Sequence, residues 1–94
     1  MYARVVQAMV KPGKMDEFLR LFKDEFAPEI QKDAGFAQSF LTREGDSITV
    51  MTVYAAKADV DATDPLFRAR VSKALDLFTG PPQASTREVV VHLG

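Results

Sequence analysis

The chain has no cysteine, no tryptophan and no asparagine, and His92 is its single histidine among 94 residues. Without cysteine there are no disulfides, no thiolate metal ligands and no thiol nucleophile, which fits a reducing cytoplasm. One histidine excludes the clusters that hold zinc or iron, and a site of carboxylates alone would favour harder ions. No metal site is therefore expected. A Ser-His-Asp triad would have to join His92 to Ser39, Ser47, Ser72 or Ser85, and none of these serines lies in a G-x-S-x-G turn. The five glycines are scattered, so neither a G-x-G-x-x-G fingerprint nor a phosphate loop exists. No apolar run reaches the length of a membrane span, and Met1-Tyr2-Ala3-Arg4 lacks a signal-peptide core. A cytoplasmic location without membrane association is expected. Twelve basic against thirteen acidic residues give a net charge of −1, so no overall field attracts nucleic acid.

What is present alternates in period. Tyr2 to Val10 is rich in Val and Met and reads as a strand, stopped by Lys11-Pro12-Gly13-Lys14. From Met15 the apolar residues Phe18, Leu19, Phe22, Phe26 and Ile30 recur at spacings of three and four, which predicts an amphipathic helix. Asp16 and Glu17 suit its positive end, and Pro28 should bend or end it near Ala27. Phe36 to Arg43 and Ser47 to Ala55 predict two strands joined by the Glu44-Gly45-Asp46 turn. Ala56 to Thr63 reads as a loop or ragged helix start. Asp64-Pro65 then looks like an N-cap followed by a first-turn proline. The stripe Phe67, Val71, Ala74, Leu75 and Phe78 marks the second helix, and Gly80-Pro81-Pro82 stops it. Thr86 to Leu93 is the fourth strand. The expectation is one domain over residues 1–94, an α+β, ferredoxin-like β-α-β-β-α-β fold with both helices on one face of an antiparallel sheet.

These strands are largely apolar on both faces. Ile48 and Val50 oppose Met51 and Val53; Val89, Val91 and Leu93 oppose Val90 beside His92. Antiparallel sheets normally turn one polar face to water, and two helices cover only the other. A second copy packed sheet against sheet supplies the missing cover, so a two-fold homodimer is expected.

Chemistry has few candidates. His92 is either a half-exposed strand residue or a general base with a pKa near working pH. Arg4, Arg43 and Arg87 lie on strands, as rim or ion-pair residues or, in a pocket, as partners of an enolate or carboxylate. Tyr54 ends its strand and is either packing with a wet tip or a hydroxyl donor to a ligand. Phe18, Phe22, Phe26, Phe67 and Phe78 form a helix-face core, or the aromatic wall of a pocket between helices and sheet. The RNA-recognition fold shares this element order, but only Tyr2 and Tyr54 are aromatic in strands one and three, with no basic patch around them.

The run Val10-Lys11-Pro12-Gly13-Lys14-Met15-Asp16-Glu17-Phe18-Leu19, followed by Gly35-Phe36 and a hairpin, resembles the antibiotic biosynthesis monooxygenase family. Asp64-Pro65-Leu66-Phe67-Arg68 with Leu77-Phe78-Thr79-Gly80-Pro81-Pro82 is similar to that family's S-P-H-F-x…L-x-G-P-P stretch. The resemblance implies a dimeric α+β barrel and a cofactor-independent monooxygenase-like activity on a small aromatic or quinol. Tyr54 or His92 would then move a proton, and Arg4 or Arg43 would hold the developing oxyanion. The alternative is a non-enzymatic dimeric module for a small apolar ligand, or a lyase or isomerase relative. The haem-degrading branch resembles an Asn, Trp and helix-two His set that this chain lacks. The histidine many quinol-oxygenase-like members carry before the second helix has no counterpart in Val60-Asp61-Ala62-Thr63. With a substrate anion able to react with O₂ directly, the protein's part reduces to binding, deprotonation and desolvation, and no cofactor is expected.

Overall fold

A computed structural model describes all residues, Met1–Gly94. The order is β1 (Tyr2–Met9), a first helical unit, β2 (Phe36–Glu44), β3 (Ser47–Tyr54), α3 (Lys57–Ala74) and β4 (Gln83–Glu88). The first helical unit consists of α1 (Met15–Leu21), a π-helical stretch (Phe22–Phe26) and α2 (Ala27–Ile30). All strand pairs are antiparallel and the sheet order is β2-β3-β1-β4, the ferredoxin-like arrangement. No helix is long and apolar enough to cross a membrane.

The helical layer packs on one sheet face through Phe18, Phe26 and Ile30 from the first unit and Ala74 from α3. They meet Ala8, Val10 and Ile48. The first stripe is thus observed as expected, with a difference at Pro28. The helix does not stop there. The Ala27 N–H bonds back to the Phe22 carbonyl, widening the turn just before the proline. A π-bulge of this kind accommodates the missing proline N–H without ending the helix.

Two expectations on element boundaries are corrected. The second helix begins at Lys57, seven residues before Asp64, so Asp64 is no N-cap and Pro65 sits inside the helix. The start is set by Ala56 in extended backbone and by Asp59, whose Oδ2 accepts the Ala56 N–H at 3.1 Å. Burial of Val60 and Thr63 on the extra turns offsets the interior proline, which in isolation costs about 3 kcal/mol. The last strand is Gln83–Glu88 and not Thr86–Leu93. β4 is an edge strand with β1 as its single partner, and that ladder ends at Tyr2 opposite Glu88, with one further bond from the Val89 N–H to the Met1 carbonyl. The valines beyond have β propensity and no strand to pair with.

The segment after β4 crosses the sheet face opposite the helices. Gln38, Val53, Ala3 and Arg87 form one row across that face, and His92 Nε2 lies 3.3 Å from Gln38 Nε2 at the far edge. The crossing accounts for Ala3 and Val53, each 3 % exposed on the side the helices do not reach. Elsewhere this face leaves Met9, Phe40 and Met51 exposed, and Val90, Val91 and Leu93 of the crossing segment point largely into solvent.

Gly35, between α2 and β2, has φ +76°, and a Cβ there would stand 2.1 Å from Asp59 Oδ2. Only glycine fits both the left-handed backbone and the approach of the carboxylate that starts α3. Gly35→Ala should therefore lose about 1–3 kcal/mol in urea unfolding, with an unchanged m-value. Wild-type stability in that variant would show that the contact relaxes freely.

Candidate functional site

The helix-facing residues of the sheet fall into rows of different character. Leu41, Val50, Val6 and Ala84 form an apolar row; the next is polar, with Ser39, Thr52, Arg4 and Thr86. Tyr54 follows on β3. Phe18, Phe22, Phe26 and Phe67 of the helical units line a cavity of about 70 Å³ over these rows. Phe78 lines it too, but from extended backbone bridged to Val10: the expected second-helix stripe ends at Ala74, and Leu75 is exposed. The aromatic set is therefore core and pocket wall at once: Phe18, Phe26 and Phe78 are buried, whereas Phe22 and Phe67 are half-buried. The cavity is apolar at the Ala8 and Ile48 end and polar at the Arg4 and Tyr54 end.

Two arginines reach this cavity with opposite electrostatics. Arg70, on the α3 stripe between Phe67 and Ala74, makes a bidentate pair with Asp33: Nη1 to Oδ2 is 3.0 Å and Nη2 to Oδ1 is 2.9 Å. Glu29 adds a contact at 3.3 Å from its Oε1 to Arg70 Nε. Tyr54 donates its hydroxyl to the same Asp33 carboxylate at 3.0 Å. Arg70, Asp33 and Tyr54 are buried in this network, and Glu29 joins it from the surface. The Asp33 hydrogen bond and charge hold Arg70 still more firmly protonated than an ordinary guanidinium.

Arg4 is buried as well, at 6 % exposure, but no carboxylate lies within ion-pair distance. Its Nη2 donates to the Val60 carbonyl at 2.7 Å and, weakly, to Thr63 Oγ1 at 3.4 Å. The guanidinium carbon lies over two aromatic rings, 4.8 Å from the Phe67 centroid and 5.8 Å from that of Tyr54. Arg4 also borders a polar groove between α3 and β4, beside Asp64 and Thr86, so it stands between the cavity and the surface. Asp61 and Asp64 line the same groove but pair with Lys57 at 3.6 Å and Arg68 at 2.7 Å, and neither forms an ion pair with Arg4.

Of the residues singled out in the sequence, Arg4 and Tyr54 come together at the polar end of the cavity. Arg43 and His92 do not join them. Arg43 sits at the β2–β3 hairpin with its Nε on the Gly45 carbonyl at 3.2 Å, and His92 lies outside the strands on the opposite sheet face. Arg87 is exposed on that face too, 3.3 Å from Ser85 Oγ. Tyr54 has no wet tip; it is 1 % exposed. Sequence reasoning missed Arg70, Asp33, Thr52 and Thr63. The available signal for Arg70 was its position on the apolar stripe, three residues after Phe67 and four before Ala74, where an arginine has to find a buried partner. No three His, Cys, Asp or Glu side chains converge to hold a metal ion.

Burial raises the Tyr54 phenol above its ordinary 10.0, with Thr63 pulling the other way and the Asp33 hydrogen bond and charge adding to the rise. Tyr54 is thus protonated at neutral pH, its hydrogen directed at Asp33. Because the folded value is raised, its contribution to stability is complete below about pH 10 and is lost as pH rises through the folded value. Tyr2 is raised by its hydrogen bond to Glu88, so Tyr2→Phe isolates Tyr54. In that variant tyrosinate absorbance should appear only above pH 10, together with loss of structure. Titration at the free-tyrosine value would contradict the buried pair. Arg70→Met should lose about 3–5 kcal/mol in denaturant unfolding by stranding the Asp33 carboxylate.

The pattern that defines the antibiotic biosynthesis monooxygenase family matches residues 1–63. No functionally curated protein matches the chain. Among solved structures, SnoaB from Streptomyces nogalater, a cofactor-independent oxygenase, is 18% identical with a TM-score of 0.79, over 98% of this chain and 95% of its own. The monooxygenase ActVA-Orf6 of Streptomyces coelicolor, in complex with nanaomycin D, is 17% identical with a TM-score of 0.76, over 99% and 91%. A protein of unknown function from Nitrosomonas europaea is 20% identical with a TM-score of 0.82, over 98% and 91%. These likenesses establish a common fold, and the match over 63 of 94 residues carries the lineage: the chain belongs to the antibiotic biosynthesis monooxygenase family.

Proposed function

We propose that the protein is a cofactor-independent monooxygenase-like enzyme for a small aromatic or quinol substrate. The observation that carries this is the aromatic-lined cavity with one charge that has no ion-pair partner, that of Arg4, at its end. A substrate held there as its anion, its proton left to solvent, is electron-rich and can react with O₂ directly, one oxygen atom entering the product and the other leaving as water with electrons from the substrate. Arg4 stabilises the anion in surroundings of low dielectric, where its charge acts more strongly than in water. The phenylalanine roof excludes water from the reactive species. The Tyr54 oxygen accepts the substrate hydroxyl while its own hydrogen is already directed to Asp33.

The reading predicts oxygen consumption with some member of a panel of hydroquinones and anthrones, absent under anaerobic conditions. Arg4→Gln should lower kcat/KM on the order of a hundredfold, the scale for removing one preorganised charge-stabilising donor. Tyr54→Phe should act chiefly on kcat. No oxygen uptake above blank across the panel would reject the enzymatic reading. A second reading, a ligand-binding module without turnover, is favoured by one observation: the cavity holds no histidine, and its tyrosine hydrogen is committed to Asp33. Ligand-dependent thermal stabilisation without oxygen uptake would identify it.

The assembly proposed with this function is a homodimer through the sheet face opposite the helices. Met9, Phe40 and Met51 are exposed there, with Val90, Val91 and Leu93 beside them. Covering that face on two copies would bury on the order of 1,500 Å², within the range of stable interfaces. Sedimentation at low micromolar concentration should show a two-chain species, and Phe40→Glu should shift it to a single chain. A 10.4 kDa wild-type species would overturn the proposal.

A further inference from the structure

Four side chains of the first helical unit line the cavity: Phe18, Phe22, Phe26 and Ile30. They follow one another at intervals of four without a break. At about 100° per residue, an α-helix carries the last of them about 120° round from the first. Phe18 and Ile30 would then face different parts of the fold. Both are nonetheless buried, at 3 % and 8 %, in the same core. The π-helical turn at Phe22–Phe26 resolves the difference. It holds one residue more than an α turn and so takes back about 100° of the drift.

Both ends of the unit are fixed independently of each other. Phe18 packs on Phe78 with ring centroids 5.5 Å apart, and Asp33, just past α2, is locked by Arg70 and Tyr54. The helix between them thus holds a surplus residue that has to be stored somewhere along its length. Pro28 decides where. It has no N–H for the Asp24 carbonyl, and its ring would press on that carbonyl in an α turn, so the α register fails in the turn just before it. Glu25, inside that turn, is tied to Lys73 of α3, while Lys23, Asp24 and Pro28 are exposed. The proline therefore stands on the outside of the helix. Its effect falls on the inside, on Phe22 and Phe26, whose rings meet edge to face with centroids 6.3 Å apart.

We propose that Pro28 is a specificity-determining residue of the cavity: by confining the surplus residue to Phe22–Phe26, it sets the aromatic wall against which a ligand ring packs. It touches no ligand itself and acts through the two phenylalanines. The proposal rests on the cavity being the substrate site. Its test is titration of the whole protein with 1-naphthol, followed by fluorescence, beside urea unfolding and NMR contacts between the Phe22 and Phe26 rings. Pro28→Ala should bind 1-naphthol about tenfold more weakly, the upper worth of one aromatic contact. It should be no less stable than wild type, because a proline inside a helix is itself unfavourable. The surplus residue is then free to move along the helix, and the fixed contact between Phe22 and Phe26 should be averaged. Deleting Asp24 from Pro28→Ala removes the surplus and leaves intervals of four, three and four, the spacing of one α-helical face. That double variant should regain both the ring contact and wild-type affinity. Were Pro28 only an irregularity of the helix, its removal would raise stability and leave binding alone. Wild-type affinity in Pro28→Ala, an unchanged ring contact there, or no recovery in a folded double variant would each overturn the proposal, as would wild-type protein that does not bind 1-naphthol. If the double variant does not fold, the comparison of Pro28→Ala with wild type decides. Oxygen plays no part in the titration. Binding that depends on Pro28 in a protein that consumes no oxygen would uphold the proposal and remove the monooxygenase reading, whereas oxygen uptake with binding indifferent to Pro28 would do the opposite.

Discussion

The carboxylate of Asp33 joins three parts of the chain that are distant in sequence. It follows α2, receives both nitrogens of Arg70 from α3, and accepts the hydroxyl of Tyr54 from the end of β3. Both helical units and the sheet are thus fixed to one another at a single buried point, where the pair is matched in charge and hydrogen bonds. Such a pair adds little net stability compared with an apolar packing of the same volume, but half of it is very unfavourable to leave behind. Its effect is to fix the spacing of the layers, and with it the width of the cavity that opens next to Tyr54.

Given that spacing, the alternation of the strands produces the site. Because paired residues in adjacent strands share a face, the register carries whole rows to the cavity together. Arg4 lies next to Thr52 and one row from the Val6–Val50 row, so the floor passes from polar to apolar within a single step along the strands. A one-residue slip of β1 would turn Arg4 to the other face and bring Ala3 or Val5 into the cavity. The register is held at the far end by Val10, which is fully buried and bridged to Phe78.

The opposite face follows a different logic. It is mixed rather than uniformly apolar, with Gln7, Thr49, Thr42 and Ser85 among Val5, Met9, Phe40 and Met51. Part of it is already covered by the chain itself, where the segment after Glu88 passes over Ala3 and Val53. That segment turns its own valines and leucine outward, moving exposed apolar surface from the sheet to the strap that crosses it.

Much of this was legible in the residues. The period-3.6 stripe from Met15 to Ile30, the period-2 runs and the Glu44-Gly45-Asp46 turn determine the element order and the face each helix buries, because those features depend on neighbours within a turn or a strand. Arg4 and Tyr54 were identifiable as polar residues on otherwise apolar strands. The start of α3 and the end of β4 were not. Asp59 caps a helix only because Gly35 leaves room for its carboxylate, and Val89 to Leu93 fail to be a strand only because β1 offers them no partner. Nor did the sequence distinguish Arg4 from Arg43 or Arg70. Whether an arginine is compensated depends on which carboxylate the fold brings within about 3 Å, as it brings Asp33 to Arg70 and none to Arg4. Local sequence thus determined the elements and their buried faces, while tertiary structure alone decided which charge is left unmatched, because burial and pairing are made by residues 30 to 60 positions apart.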